Sequence, residues 1–203
     1  MIDNRGAEDR AAAIEAGALA AAERLLAEGT SLSALSMQRI ADEAGVARST
    51  LYLYFKEKSA LLIRLASGLK KGSYQLMSGW SPNDPDALDR LGDTLFEVIG
   101  YYRQRRHVLR AMLELADRDA TVGRLWTEEL DPFQQLSRQW IRQAQAKGLT
   151  AATVDPATAS QVIVHGGFRV IAQQALAGDP DRDATVAHEL AANQWYGAFR
   201  RPG

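Results

Sequence analysis

Apolar positions recur with helical spacing along most of the chain. Residues 9–28 place Ile14, Ala18, Ala21 and Leu25 four, three and four apart, which is one face of an amphipathic helix. Residues 57–79 carry Leu61, Leu62, Leu65, Leu69 and Leu76 on one side, and further helical segments are expected at about 86–105, 107–117, 121–147, 155–177 and 181–199. Between these stand Gly, Pro and Asp/Asn clusters that stop or start helices: Glu28-Gly29-Thr30, Phe55-Lys56-Glu57, Trp80 to Pro85, Lys147 to Pro156, and Ala177 to Pro180.

A short pair of helices precedes residue 57. Ser36 is a suitable N-cap, and Met37, Ile40, Ala41 and Ala44 follow with one apolar stripe. Gly45 can take positive φ and turn the chain sharply, Val46 plugs the corner, and Ala47 to Phe55 form a second short helix with Leu51 and Tyr54 or Phe55 turned inward. Ala41 is small where two helices cross at short range. The spacing fits a helix-turn-helix, although an ordinary αα corner shares some of its features.

Composition supports helices throughout. Ala and Leu supply 58 residues, Val and Ile only 17, and no Asn-Gly or Asp-Gly hairpin signal appears, so the expected class is all-α. The chain has no cysteine, which removes disulfides and thiolate chemistry. No run approaches the ~20 apolar residues of a membrane span, and Asp3, Glu8 and Asp9 stand where a signal peptide would be basic; a cytoplasmic protein is expected. His107, His165 and His188 are not spaced as metal ligands on one helix, and neither a P-loop nor His-Glu-x-x-His occurs, so no metal and no cofactor are expected. His165-Gly166-Gly167 superficially looks like an oxyanion loop but lacks a Gly-x-Ser-x-Gly partner and a strand pattern, which makes a helical enzyme a remote alternative.

The stretch from Ile40 to Leu62 resembles the DNA-binding domain of TetR-family transcriptional regulators, through Ile40-Ala41-x-x-Ala44-Gly45-Val46, Thr50-Leu51-Tyr52-x-Tyr54-Phe55, and Lys58 before an apolar fourth helix. One position departs: Glu57 stands where a Ser, Thr or Asn cap is usual, so the fourth helix starts with a weaker cap or uses Ser59. The resemblance implies a three-helix DNA-binding domain over 1–56, with its recognition helix at about 47–54. A ligand-binding and dimerisation domain over 57–203 would follow, with about nine helices in all, 57–79 as the linking helix and 155–199 as the dimer helices. It also implies a ligand-responsive repressor that binds a palindromic double-stranded operator as a homodimer and is released by a small lipophilic effector. A helix-turn-helix activator, or a regulator without a ligand response, is the alternative.

Residue by residue, Arg48, Ser49 and Thr50 head the recognition helix at base edges, with Arg48 suited to a bidentate guanine contact. The resemblance puts Tyr52 and Tyr54 at the sugar-phosphate backbone and Gln38 near DNA at the start of the preceding helix. Lys58 would meet phosphate at a helix N-terminus. All four Trp lie beyond residue 79. The expected ligand-binding set is Val98, Tyr102, Met112, Trp126, Leu130, Phe133, His165, Phe168 and Trp195, each of which could equally be core packing. Arg124-Leu125-Trp126 and Asn193-Gln194-Trp195-Tyr196 look like an EthR-like branch of the family, with a Trp-lined tunnel. Gly166 and Gly167 inside a helix suggest close helix approach or a kink.

The formal charge of −1 is an average. Residues 36–71 hold seven basic and three acidic side chains, whereas residues 76–203 hold 14 basic and 16 acidic. Binding to DNA depends on the local patch rather than the sum.

Overall fold

Helices form where the apolar period calls for them, and the computed structural model, which describes residues 4–203, contains no strand among the described residues. Asp3 of the acidic start lies outside them. The order is α1 (Asn4–Ala27), α2 (Met37–Ala44), α3 (Arg48–Tyr54), α4 (Lys58–Ser78), α5 (Ala87–Gln104), α6 (Arg106–Arg118), α7 (Ala120–Glu128), α8 (Asp131–Ala146), α9 (Pro156–Gln161), α10 (Gly167–Ala177) and α11 (Asp183–Gln194). A π turn over Val162–Gly166 joins α9 to α10, a 3₁₀ turn over Pro180–Arg182 precedes α11, and a second π turn, Trp195–Phe199, follows it.

The single helix expected over 121–147 is two helices. Pro132 sits in the first turn of α8, where its missing N–H costs nothing, and its ring disfavours helical geometry at the residue before it, so the chain breaks between α7 and α8. The helix expected over 155–177 carries the π turn just ahead of Gly167. A Cβ on Gly167 would lie 3.2 Å from Gln194 Nε2, which is the close approach that its glycine permits.

The chain forms two units. One comprises the chain up to Gly68 together with His107–Trp126; the other comprises Leu69–Arg106 and Thr127–Gly203. This differs from a division at residue 56, because the first half of α4, most of α6 and most of α7 group with the N-terminal helices. In the first unit Ala18, Ala21, Leu25, Ile40, Leu51 and Leu61 are among a continuous buried core, and Ala111 of α6 belongs to it. In the second, α5 packs along α11 and against α10, and α8 packs on α9. Trp80, Trp140 and Phe199 form an aromatic corner there, with Trp80 and Trp140 edge to face at 4.7 Å between centroids, and Trp80 Nε1 donates to the Ala87 carbonyl at 2.8 Å.

Arg103 at the end of α5 ties the second unit together. Its Nε and Nη2 donate to the two oxygens of Asp183 at 2.9 and 2.6 Å, and its Nη1 and Nη2 reach the carbonyls of Gly178 and Gln174. Burial pushes the Asp183 carboxyl up, but hydrogen bonds from Arg103 and Gln174, with the Arg103 charge, leave it below the usual carboxylate value.

Candidate DNA-reading face and ligand cavity

The corner between α2 and α3 is built as its sequence asks. Ser36 Oγ accepts the Arg39 N–H at 3.2 Å, a cap that contributes about 1 kcal/mol. Gly45 adopts φ 68°, and the Val46 N–H closes onto the Ala41 carbonyl at 3.0 Å while the Gly45 N–H reaches Asp42 at 3.2 Å. Leu51 and Phe55 are buried and Tyr54 is half-buried against the same core, so α3 is held by one side and turns the other outward.

That outer side carries Arg48, Ser49 and Tyr52, all exposed, with Thr50 half-buried beside them. Arg48 Nη2 donates to the Tyr52 hydroxyl at 3.3 Å and the guanidinium stands 5.4 Å from the ring centroid, which holds a flexible side chain along the helix without burying its charge. Gln38 is exposed on α2 and donates to Asp42 Oδ1 at 2.7 Å. Lys58 is already engaged: its Nζ donates to the Leu32 carbonyl at 2.7 Å and pins the start of α4 to the loop after α1. An ammonium has three donors, so a phosphate contact would share it. Glu57 directly precedes α4, and its carbonyl accepts the Leu61 N–H at 3.4 Å. Leu53, passed over in the sequence reading, is 81 % exposed on α3; its signal is an apolar residue off the buried stripe.

Within the second unit a cavity of about 70 Å3 lies among α4, α5, α8, α10 and the π turn that precedes α10. Of the residues expected around a ligand, Val98, Tyr102, Leu130, Phe133 and Phe168 line it. The other four are elsewhere. Met112 and Trp126 are buried in the first unit; His165 lies on the π turn with Nε2 3.3 Å from Gln134 Nε2; and Trp195 stacks under the Arg200 guanidinium at 4.3 Å. Trp126 and Trp195, which carried the likeness to a Trp-lined tunnel, therefore lie outside the cavity, and its tryptophan is Trp140.

Ser73, Met77, Leu136, Ser137, Trp140 and Gln194 also line the cavity and were not among the residues expected around a ligand. The available signal was Ser137, a polar residue four after Phe133 and three before Trp140 on the inward stripe of α8. Ser73 Oγ donates to the Lys70 carbonyl and is 2.9 Å from the Tyr102 hydroxyl, whose pKa is pushed up by burial. Lys70 is 2 % exposed, and its Nζ lies 4.7 Å from the centroid of Phe168. Burial lowers its amine to about 7, against the opposing charge of Glu129.

The model of the N-terminal domain of bacterial regulatory proteins of the tetR family matches residues 18–65, which span the second half of α1, the corner and the first third of α4. The chain carries a TetR-family DNA-binding domain. Solved structures extend the likeness of fold to the rest of the chain. NalD of Pseudomonas aeruginosa, the secondary repressor of the MexAB-OprM multidrug efflux pump, is 22% identical with a TM-score of 0.67, covering 95% of this chain and 100% of that one. GusR of Salmonella enterica is 19% identical with a TM-score of 0.73 over 93% and 96% of the two chains. The transcriptional regulator FadR of Bacillus subtilis, in complex with stearoyl-CoA, is 18% identical with a TM-score of 0.70 over 88% and 96%. A search of curated proteins finds no match. NalD and FadR are transcriptional regulators, and the chain is similar to them in fold. No helix among the described residues is long and apolar enough to cross a membrane.

Proposed function

We propose that the chain is a ligand-responsive transcriptional repressor that binds a palindromic operator as a homodimer and is released by a small lipophilic effector. The observation that carries the reading is the α3 face: Arg48, Ser49 and Tyr52 are exposed on a helix held by buried Leu51 and Phe55, behind a corner closed by Gly45. A helix so seated presents its N-terminal side chains to base edges in a major groove, with Arg48 set for guanine and Tyr52 for the backbone. Gln38, Ser49, Thr50 and Tyr54 support it, and Lys58 orients α4 as well as offering charge. Such a regulator works in the cytoplasm.

One short helix reads few bases, so two half-sites related by a two-fold axis are required for a unique address. The surface for the second copy is the outer side of α9 to α11, where Val162 is 67 % and Val170 41 % exposed beside Leu190, Gly166 and Gly197. Uncovered apolar groups at regular helical positions fit a helical dimer interface. Val170→Glu places a charge in that surface and is expected to convert dimer to monomer in analytical ultracentrifugation; an unchanged dimer contradicts the assignment of the interface.

The effector belongs in the apolar cavity, whose walls include Val98, Tyr102, Leu130, Phe133 and Phe168. FadR of B. subtilis, similar in fold, binds an acyl-CoA, which is support by likeness for an apolar effector. The helix α4 links reading head and cavity along one chain, contributing Leu61 and Leu62 to the N-terminal core and Ser73 and Met77 to the cavity. A ligand that displaces the second half of α4 shifts the recognition helices, by as much as it prefers the displaced state, typically ~1–3 kcal/mol.

A further inference from the structure

The cavity described above is apolar except at two places where the polar groups have no internal partner. Ser137 on α8 is 4 % exposed and Gln194 at the end of α11 is 8 % exposed, and both line the cavity. Neither the Ser137 hydroxyl nor the Gln194 carboxamide has a hydrogen-bond partner among the described residues, and neither is among the polar atoms sealed from solvent without one, so both groups are open to the cavity. A serine inside a helix ordinarily satisfies its hydroxyl on the carbonyl one turn back, so a hydroxyl left open toward a cavity is available to a ligand. The third polar wall, Ser73, differs: its hydroxyl is spent on the Lys70 carbonyl and Tyr102. Space has also been kept for the amide. Gln194 Nε2 sits 3.2 Å from where a Cβ of residue 167 would be, and residue 167 is glycine.

We infer that Ser137 and Gln194 are the polar anchors of the effector, which is an apolar molecule bearing one neutral oxygen group of the carbonyl class. The inference rests on the cavity being the effector site. Neutral partners follow from the donors present: a carboxamide N–H and a hydroxyl complete an uncharged carbonyl, whereas a carboxylate or ammonium buried here would need an opposite charge in the wall. Lys70 does not supply it, since it is not among the lining residues and its ammonium stacks on Phe168. An effector meeting these groups makes hydrogen bonds that the empty protein lacks, so the anchors discriminate by head group while the rings discriminate by shape.

The test is calorimetric titration of the full chain with three probes: butyl methyl ketone, the alkene in which CH2 replaces its carbonyl oxygen, and hexanoate. Wild type is expected to bind the ketone roughly ten-fold more tightly than the alkene, the order of an otherwise unmade buried hydrogen bond, and hexanoate more weakly than the ketone. Gln194→Leu and Ser137→Ala are each expected to reduce that preference for the ketone over the alkene. Both variants should fold, because neither side chain holds a hydrogen bond within the protein. The anchors are refuted if alkene and ketone bind alike to wild type, if hexanoate binds most tightly, or if both variants keep the full preference; the cavity then still stands as a binding site. If neither ketone nor alkene binds wild type, the cavity fails as an effector site and the anchors fail with it.

Discussion

Replacing Arg103 by Met keeps most of the aliphatic stem and removes a guanidinium that is 18% exposed from a carboxylate that is 7% exposed. Asp183 would retain only the Gln174 Nε2 donor at 2.7 Å, the Gly178 carbonyl would lose its Arg103 donor, and the Gln174 carbonyl would keep only the Gly178 N–H at 3.0 Å. Breaking a buried pair by deleting one partner costs about 3–5 kcal/mol. Asp183 lies in the first turn of α11, where the helix dipole returns about 0.3–1 kcal/mol to a lone anion, so a loss near the lower bound is expected. Urea unfolding followed by far-UV circular dichroism measures it. The double variant with Asp183→Asn should lose less than the sum of the single variants, with a coupling of about 1–3 kcal/mol. The sign with pH is fixed by the direction of the Asp183 shift: a carboxyl held below its ordinary value stabilises above the unfolded-state value and loses that contribution as pH falls through its folded value. The gap between wild type and Arg103→Met should therefore shrink in acid. A loss under about 1 kcal/mol, additive single losses, or a gap independent of pH would refute the reasoning.

Gly45→Ala forces an alanine to φ 68° and should cost about 1–2 kcal/mol in thermal unfolding and weaken DNA binding; an unperturbed variant would mean that the corner relaxes freely. Lys70 has its amine lowered to about 7 in the folded chain against 10.5 unfolded, so between these values the unfolded state binds more protons and stability rises with pH, by at most ~1.4 kcal/mol per unit. Lys70→Met should flatten that rise in urea titrations between pH 7.5 and 9.5; equal slopes would show that the ammonium is not buried as described.

The parts of the fold set by local chemistry were legible in the sequence. Ser36, Ala41, Gly45, Val46 and Leu51 specify the corner through capping, a left-handed turn and a single inward stripe, and each acts within a few residues of itself. The split between α7 and α8 was legible too, in Pro132, but a continuing apolar period over 121–147 masked it. What could not be read was which apolar side chains share a wall. Met112, Trp126 and Phe168 are all apolar residues on helical stripes, yet the first two belong to a unit in which His107–Trp126 joins the N-terminal helices across the intervening Leu69–Arg106. Arg103 and Asp183 stand 80 apart and announce nothing locally. Gln194 was noticed only as part of a terminal motif, because its significance comes from what it lacks in the folded state.

The exposed face of α3 is the surface proposed to read DNA. Fluorescence anisotropy on a duplex obtained by in-vitro selection, titrated with wild type and with Arg48→Ala, tests it most directly. Wild type should enrich a palindrome with half-sites one helical turn apart or a multiple of it, and Arg48→Ala should bind it about 1–3 kcal/mol more weakly with relaxed preference at one base pair of each half-site. Enrichment of no sequence by wild type at low salt, or an Arg48→Ala variant with undiminished affinity and selectivity, would contradict the account.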